Sequence, residues 1–132
     1  MNKKLLILFF FIKALFLYVK LDLIWFAVYS QKNVYGPQLS LINSNSKFKL
    51  RIPVAILTWV LLAAGLTTLL FSLNEKNRWK IFLIGFLYGF VVYGVYNGTN
   101  YATIEKYRVR TAIIDTLWGS IAGGVIASIA SL

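Results

Sequence analysis

Two aspartates in this chain carry a tryptophan three residues on, as Asp22-Leu-Ile-Trp25 and Asp115-Thr-Leu-Trp118, and both sit inside apolar stretches. A carboxylate in a membrane-length apolar helix costs about 2.5 to 3.5 kcal/mol on insertion scales, so such a group faces protein, a partner or water. The chain has only four acidic residues, so spending two of them this way points to a site. Paired carboxylates suit a cation, a proton or a cationic solute. If the two lie in contact, they are expected to share a proton. The plain alternative is that each accepts hydrogen bonds from Trp, Tyr, Asn or a loop Arg and so fixes helix packing.

The amides Asn97 and Asn100 offer donors and acceptors that suit either a polar solute or interhelical contact. Tyr93 and Tyr96 are candidates for lining a cavity, although aromatics at helical spacing more often pack. Trp25 and Trp118 are read as walls. With no Cys and no His, the chain excludes thiol chemistry, disulfides, imidazole bases and Cys or His zinc sites. No cofactor is expected, and the residues do not define a metal. An enzyme that modifies lipid with the Asp pair is the least favoured class, since no serine elbow or phosphate-binding motif is present.

The elements that position these residues follow from composition. Of 132 residues, 59% are apolar and 14% charged, and the mean hydropathy is +0.72. Soluble domains run at about 45 to 50% apolar. Four stretches approach the roughly 20 residues that cross a bilayer, near 5–29, 53–73, 81–103 and 111–132. The expectation is one membrane domain over 1–132, an all-α, polytopic transmembrane four-helix bundle joined by short connections. Met1-Asn2-Lys3-Lys4 resembles the start of a signal peptide, but no small-residue cleavage site follows, so it reads as part of a retained first helix.

The net charge of +10 sits mostly at segment ends, as in Lys47, Lys49 and Arg51, or Lys76, Arg78 and Lys80. That placement suits anionic headgroups and argues against nucleic acid as a partner. Five cations on the side of the N-terminus face seven on the other, which leans weakly toward an external N-terminus. Lys13 and Lys20 share the face of helix one opposite Asp22. Lys13 can snorkel, and Lys20 lies near mid-depth unless the span begins near Ala14. Gly36-Pro37 and Asn43-Ser44-Asn45-Ser46 punctuate the first connection as turns, with a short helical turn expected over 38–42.

Counting crossings places Asp22, Asn97, Asn100 and Asp115 in one leaflet. Helical phase puts Tyr18, Asp22, Trp25 and Tyr29 on one face of helix one. It aligns Gly85, Gly89, Tyr93, Tyr96, Asn97 and Asn100 on helix three, and Thr111, Asp115, Trp118, Gly119, Ala122 and Gly123 on helix four. The glycines at i and i+4 allow close approach. Helix two, whose few polar members are Thr58, Thr67, Thr68 and Ser72 besides Trp59, is expected to be mainly a packing wall.

Taken together, Leu21-Asp22-Leu-Ile-Trp25, the run from Tyr93 to Thr103 and Asp115-Thr-Leu-Trp118-Gly119 resemble a family of small four-helix membrane proteins, mostly bacterial, known only as a domain of unknown function. Its pattern is LDxxW, then YATYDLTNxAT, then DxxWG. The resemblance covers nearly the whole chain, through Asp22, Trp25, Tyr93, Tyr96, Thr99, Asn100, Ala102, Thr103, Asp115, Trp118 and Gly119. It implies the fold and a membrane location, in a cell membrane or a viral or host one, but no activity. The family's central Asp falls at Asn97 here, which removes a negative charge and weakens any reading that needs three carboxylates.

The leading functional expectation is binding or transport of a small polar or cationic solute at this Asp/Asn cluster, with a homo-oligomer supplying further helices. The alternative is a structural or assembly protein of a membrane whose buried polar residues set helix registry.

Overall fold

The computed structural model describes residues 1–42 and 50–132. The turn expected over Asn43 to Ser46 lies outside the described residues. Four long helical rods form the bundle, with no strand among the described residues. Three of them are long and apolar enough to cross a membrane: α3 (Ile52–Leu73), α4 (Arg78–Thr103) and α5 (Val109–Ala130). The helix α1 (Lys3–Trp25) matches them in length and carries Lys13, Lys20 and Asp22.

The first rod does not stop at Tyr29. It continues as a π-helical segment, Phe26–Tyr35, into α2 (Gly36–Ile42). Gly36 N–H bonds back to the carbonyl of Gln31, five residues earlier, which is the wider π winding. Pro37 has no N–H, so the Asn33 carbonyl four residues before it would stand open. The guanidinium of Arg110 fills that place, Nη1 donating to Asn33 O at 2.9 Å. Gly36-Pro37 therefore stays helical rather than turning, because a side chain on another helix replaces the missing donor.

Local residues start or stop α1, α3 and α4. Asn2 accepts from Leu5 N at 3.0 Å and opens α1. Pro53 sits in the first turn of α3, where its missing N–H costs nothing. Asn74 ends α3 in a left-handed conformation (φ 50°), and Asn77 opens α4 by accepting from Lys80 N at 3.1 Å. Between them, Glu75 accepts from the N–H groups of Lys76 and Asn77, both at 2.8 Å. These bonds, that of Asn77 foremost, hold its carboxyl below the usual range.

Packing is closest between α4 and α5. A Cβ on Gly85 would run into the Gly123 carbonyl, and one on Gly89 into the Gly119 carbonyl, so the backbones touch where the small residues align. α1 buries Phe10, Ala14 and Tyr18, one per turn, in the core formed with Ala63, Leu66 and Leu70 of α3 and Ala122, Ile126 and Ala127 of α5. At the far end of α5, Lys13 Nζ donates to Leu132 O at 3.0 Å and Arg78 Nη2 to Ser128 O at 2.6 Å. Both meet the negative end of the helix dipole. The Lys13 ammonium thus reaches the end of α5, and Lys20 lies about 10 Å further along α1. Its ammonium stands 5.8 Å over the Phe16 ring, one turn back in the snorkelling direction.

Candidate functional site

The two Asp-x-x-Trp motifs meet because α1 and α5 run antiparallel and side by side. Trp25 and Trp118 stack face to face, ring centroids 4.6 Å apart and planes within 2°. Trp118 Nε1 donates to Asp22 Oδ1 at 3.0 Å, so the tryptophan of the second motif serves the aspartate of the first. The reverse service is indirect: Trp25 Nε1 reaches the Tyr35 hydroxyl at 3.4 Å, and that hydroxyl donates to Asp115 Oδ1.

Each carboxylate completes its set with one more donor. Trp59 Nε1 donates to Asp22 Oδ2 at 2.8 Å. α3 is therefore more than a packing wall, since it closes the Asp22 site. Asn97 Nδ2 donates to Asp115 Oδ2 at 2.6 Å, with Asp115 only 5% and Asn97 1% exposed. No hydrogen bond joins the two carboxylates among the described residues; each has its own pair of donors.

The network reaches the α4–α5 connection. Asn97 Oδ1 accepts from the Tyr107 hydroxyl at 2.7 Å. Burial pushes the Tyr107 hydroxyl pKa up, so it remains a donor across ordinary pH. Asn100 faces the same hydroxyl rather than Asp115. The connection is latched to α2 by Gln38, 4% exposed, whose Nε2 donates to Lys106 O at 2.9 Å and whose Oε1 accepts from Arg108 N at 2.7 Å.

Above the carboxylates lies a cavity of about 620 Å³. Asp22, Asp115, Tyr35 and Tyr93, with Gln38, Tyr107 and Thr111, give it a polar lining. Leu39 and Ile42 of α2, Leu62 of α3 and Val92 of α4 make apolar walls. Thr58, Val92 and Tyr96 on the α3 and α4 sides are exposed, so the mouth opens between those two helices. Neither Trp25 nor Trp118 lines it; they act as donors beneath it rather than as walls. Among the described residues, no three acidic side chains gather in a way that could hold a metal ion.

The structure thus brings together Asp22, Asp115, Asn97, Trp25, Trp118 and Tyr93, leaves Tyr96 at the mouth and puts Asn100 to one side. Sequence reasoning missed Tyr35, Gln38 and Tyr107 and underrated Trp59. A lone Trp in an apolar helix carries no pattern, and Tyr35 and Gln38 flank a Gly-Pro that reads as a turn.

A membrane bundle with paired Asp-x-x-Trp motifs is the class that fold and site define. The family model described as "Predicted membrane protein (DUF2177)" matches residues 6–132, and the chain belongs to that family, whose function is unknown. No curated protein and no solved structure matches the chain.

Proposed function

We propose that the protein binds a small, mainly apolar solute bearing a cationic or hydrogen-bond-donating group. The solute would enter from the bilayer between α3 and α4, with all four long helices crossing the membrane. The observation that carries this reading is that both carboxylates line one cavity of about 620 Å³. A carboxylate offers about four lone-pair sites. Asp22 and Asp115 each use two of theirs on the fixed donors, so a solute can bind without dismantling the network. Apolar walls over a few polar groups are the usual make-up of a small-molecule pocket. Transport extends the reading, and a homodimer would supply the additional helices.

The test is thermal stability of detergent-purified protein against a panel of lipophilic ammonium compounds and their uncharged carbon isosteres. A ligand that binds only the folded state raises stability by mass action. Stabilisation by the ammonium compounds alone, lost in Asp115→Asn and Asp22→Asn, supports the site. Stabilisation by none of them sinks it.

A second reading is favoured by a specific observation: all four carboxylate oxygens already have a donor. On this reading the aspartates are registry devices of a structural or assembly protein. Both variants would then lose stability or assembly, with no ligand response in the wild type.

A further inference from the structure

We propose that the N-terminal end of α5 seats a phosphate group, held by Thr111, Arg108 and the open backbone N–H groups of the first turn. The inference goes beyond the solute reading and does not need the cavity to be filled.

Thr111 is the first ground. It is 1% exposed, lines the cavity, and its hydroxyl has no hydrogen-bond partner among the described residues. The ordinary fate of a helical threonine here is different. Thr58, Thr67, Thr68 and Thr103 each close on the carbonyl four residues back. For Thr111 that carbonyl belongs to Tyr107, which precedes the helix, so the hydroxyl is left free. A buried polar group without a partner is costly and asks for an explanation such as an ion.

Arg108 is the second ground. Its Nε and Nη2 are shut off from solvent and have no partner among the described residues. The nearby carboxylate of Asp115, under two turns along the helix, is already engaged by Tyr35 and Asn97. Gln38 fixes the Arg108 backbone, so the residue is positioned rather than free to swing its main chain.

The helix end adds the third set of donors. Arg108 is the N-cap and supplies no side-chain cap, so the N–H groups of Val109, Arg110 and Thr111 have no partner within the helix. Helix N-termini favour anions through those N–H groups and the dipole. A guanidinium, a hydroxyl and backbone donors, all within the first turn of one helix, match the several acceptor oxygens of phosphate better than a monatomic anion. The phosphate has two sources, a lipid headgroup or free phosphate, and the apolar walls of Leu39 and Ile42 lie on the same cavity as Thr111.

The experiment measures thermal stability of the full chain in neutral detergent. Inorganic phosphate and dihexanoyl phosphatidic acid are titrated separately, against chloride at equal ionic strength. Stabilisation by both probes identifies a seat open to free phosphate; stabilisation by the lipid alone identifies a headgroup seat. Either must weaken roughly tenfold in Thr111→Val and in Arg108→Gln, the loss expected for one charge-assisted bond. Lys76→Gln, at the opposite end of the bundle, must leave it unchanged. Thr111→Val keeps shape and volume, so it decides the matter if Arg108→Gln fails to fold. No stabilisation beyond chloride, or equal stabilisation in the Thr111 variant, overturns the proposal.

Discussion

Trp118 donates its indole N–H to Asp22 across the α1–α5 contact while its ring lies flat on Trp25, three residues further along α1 from that same aspartate. The two motifs therefore complete each other: neither aspartate bonds to the tryptophan of its own tetrapeptide, and each draws on the other's, Asp115 through Tyr35. One hydrogen bond and one stack fix the rotation of α1 and its height against α5.

Removing that donor should be costly. Trp118→Phe keeps most of the stacking surface and deletes the N–H, leaving a largely buried carboxylate oxygen short of a partner. The expected loss is about 1 to 3 kcal/mol in reversible unfolding in mixed micelles. Combined with Asp22→Asn, the losses should be clearly less than additive, because both variants damage one interaction. Strict additivity would mean that the bond contributes nothing.

The α4–α5 contact makes a graded prediction. Gly89→Ala places a methyl group against the Gly119 carbonyl, and Gly119→Ala places one in the Tyr93 ring. Each should destabilise by about 1 to 3 kcal/mol through overpacking. Gly98 on the same helix meets nothing within 4 Å, so Gly98→Ala should be neutral or stabilising by about 0.5 to 1 kcal/mol. Equal effects at Gly89 and Gly98 in the same unfolding assay would contradict the close approach.

Gln38 predicts a proteolytic phenotype. Gln38→Leu leaves Lys106 O and Arg108 N without the side chain that latches them. Trypsin should then cut after Lys106 and Arg108 several-fold faster than in the wild type, read by mass spectrometry of the fragments. An unchanged rate would show that the connection is held by other contacts.

How far the sequence foretold this site follows from how each residue announces itself. Asp22, Asp115 and Asn97 stand out because polar groups are rare in apolar helices, and counting antiparallel crossings brings them to one end. Gly85, Gly89, Gly119 and Gly123 announce the α4–α5 contact by their spacing alone. Trp59 cannot be found that way, since its partner Asp22 is 37 residues distant and α3 carries no charged residue to mark a polar face. Tyr35 and Gln38 depend on a helix persisting through Gly36-Pro37. That persistence rests on Arg110, a residue from another element, bonding the carbonyl that Pro37 cannot serve. Local rules read the Gly-Pro correctly as a weakness and have no means of seeing its repair.

The cavity that opens between α3 and α4 is tested most directly by equilibrium binding of a lipophilic ammonium probe to wild type and to Val92→Trp. Val92 lines the mouth and takes no part in the side-chain network of either aspartate, so the larger ring fills space while leaving those bonds in place. Saturable binding to the wild type, weakened roughly tenfold or more in a folded Val92→Trp protein, is the predicted result. Binding that is identical in the two proteins, or absent from the wild type across the panel, would contradict it and leave the paired aspartates as registry devices of the bundle.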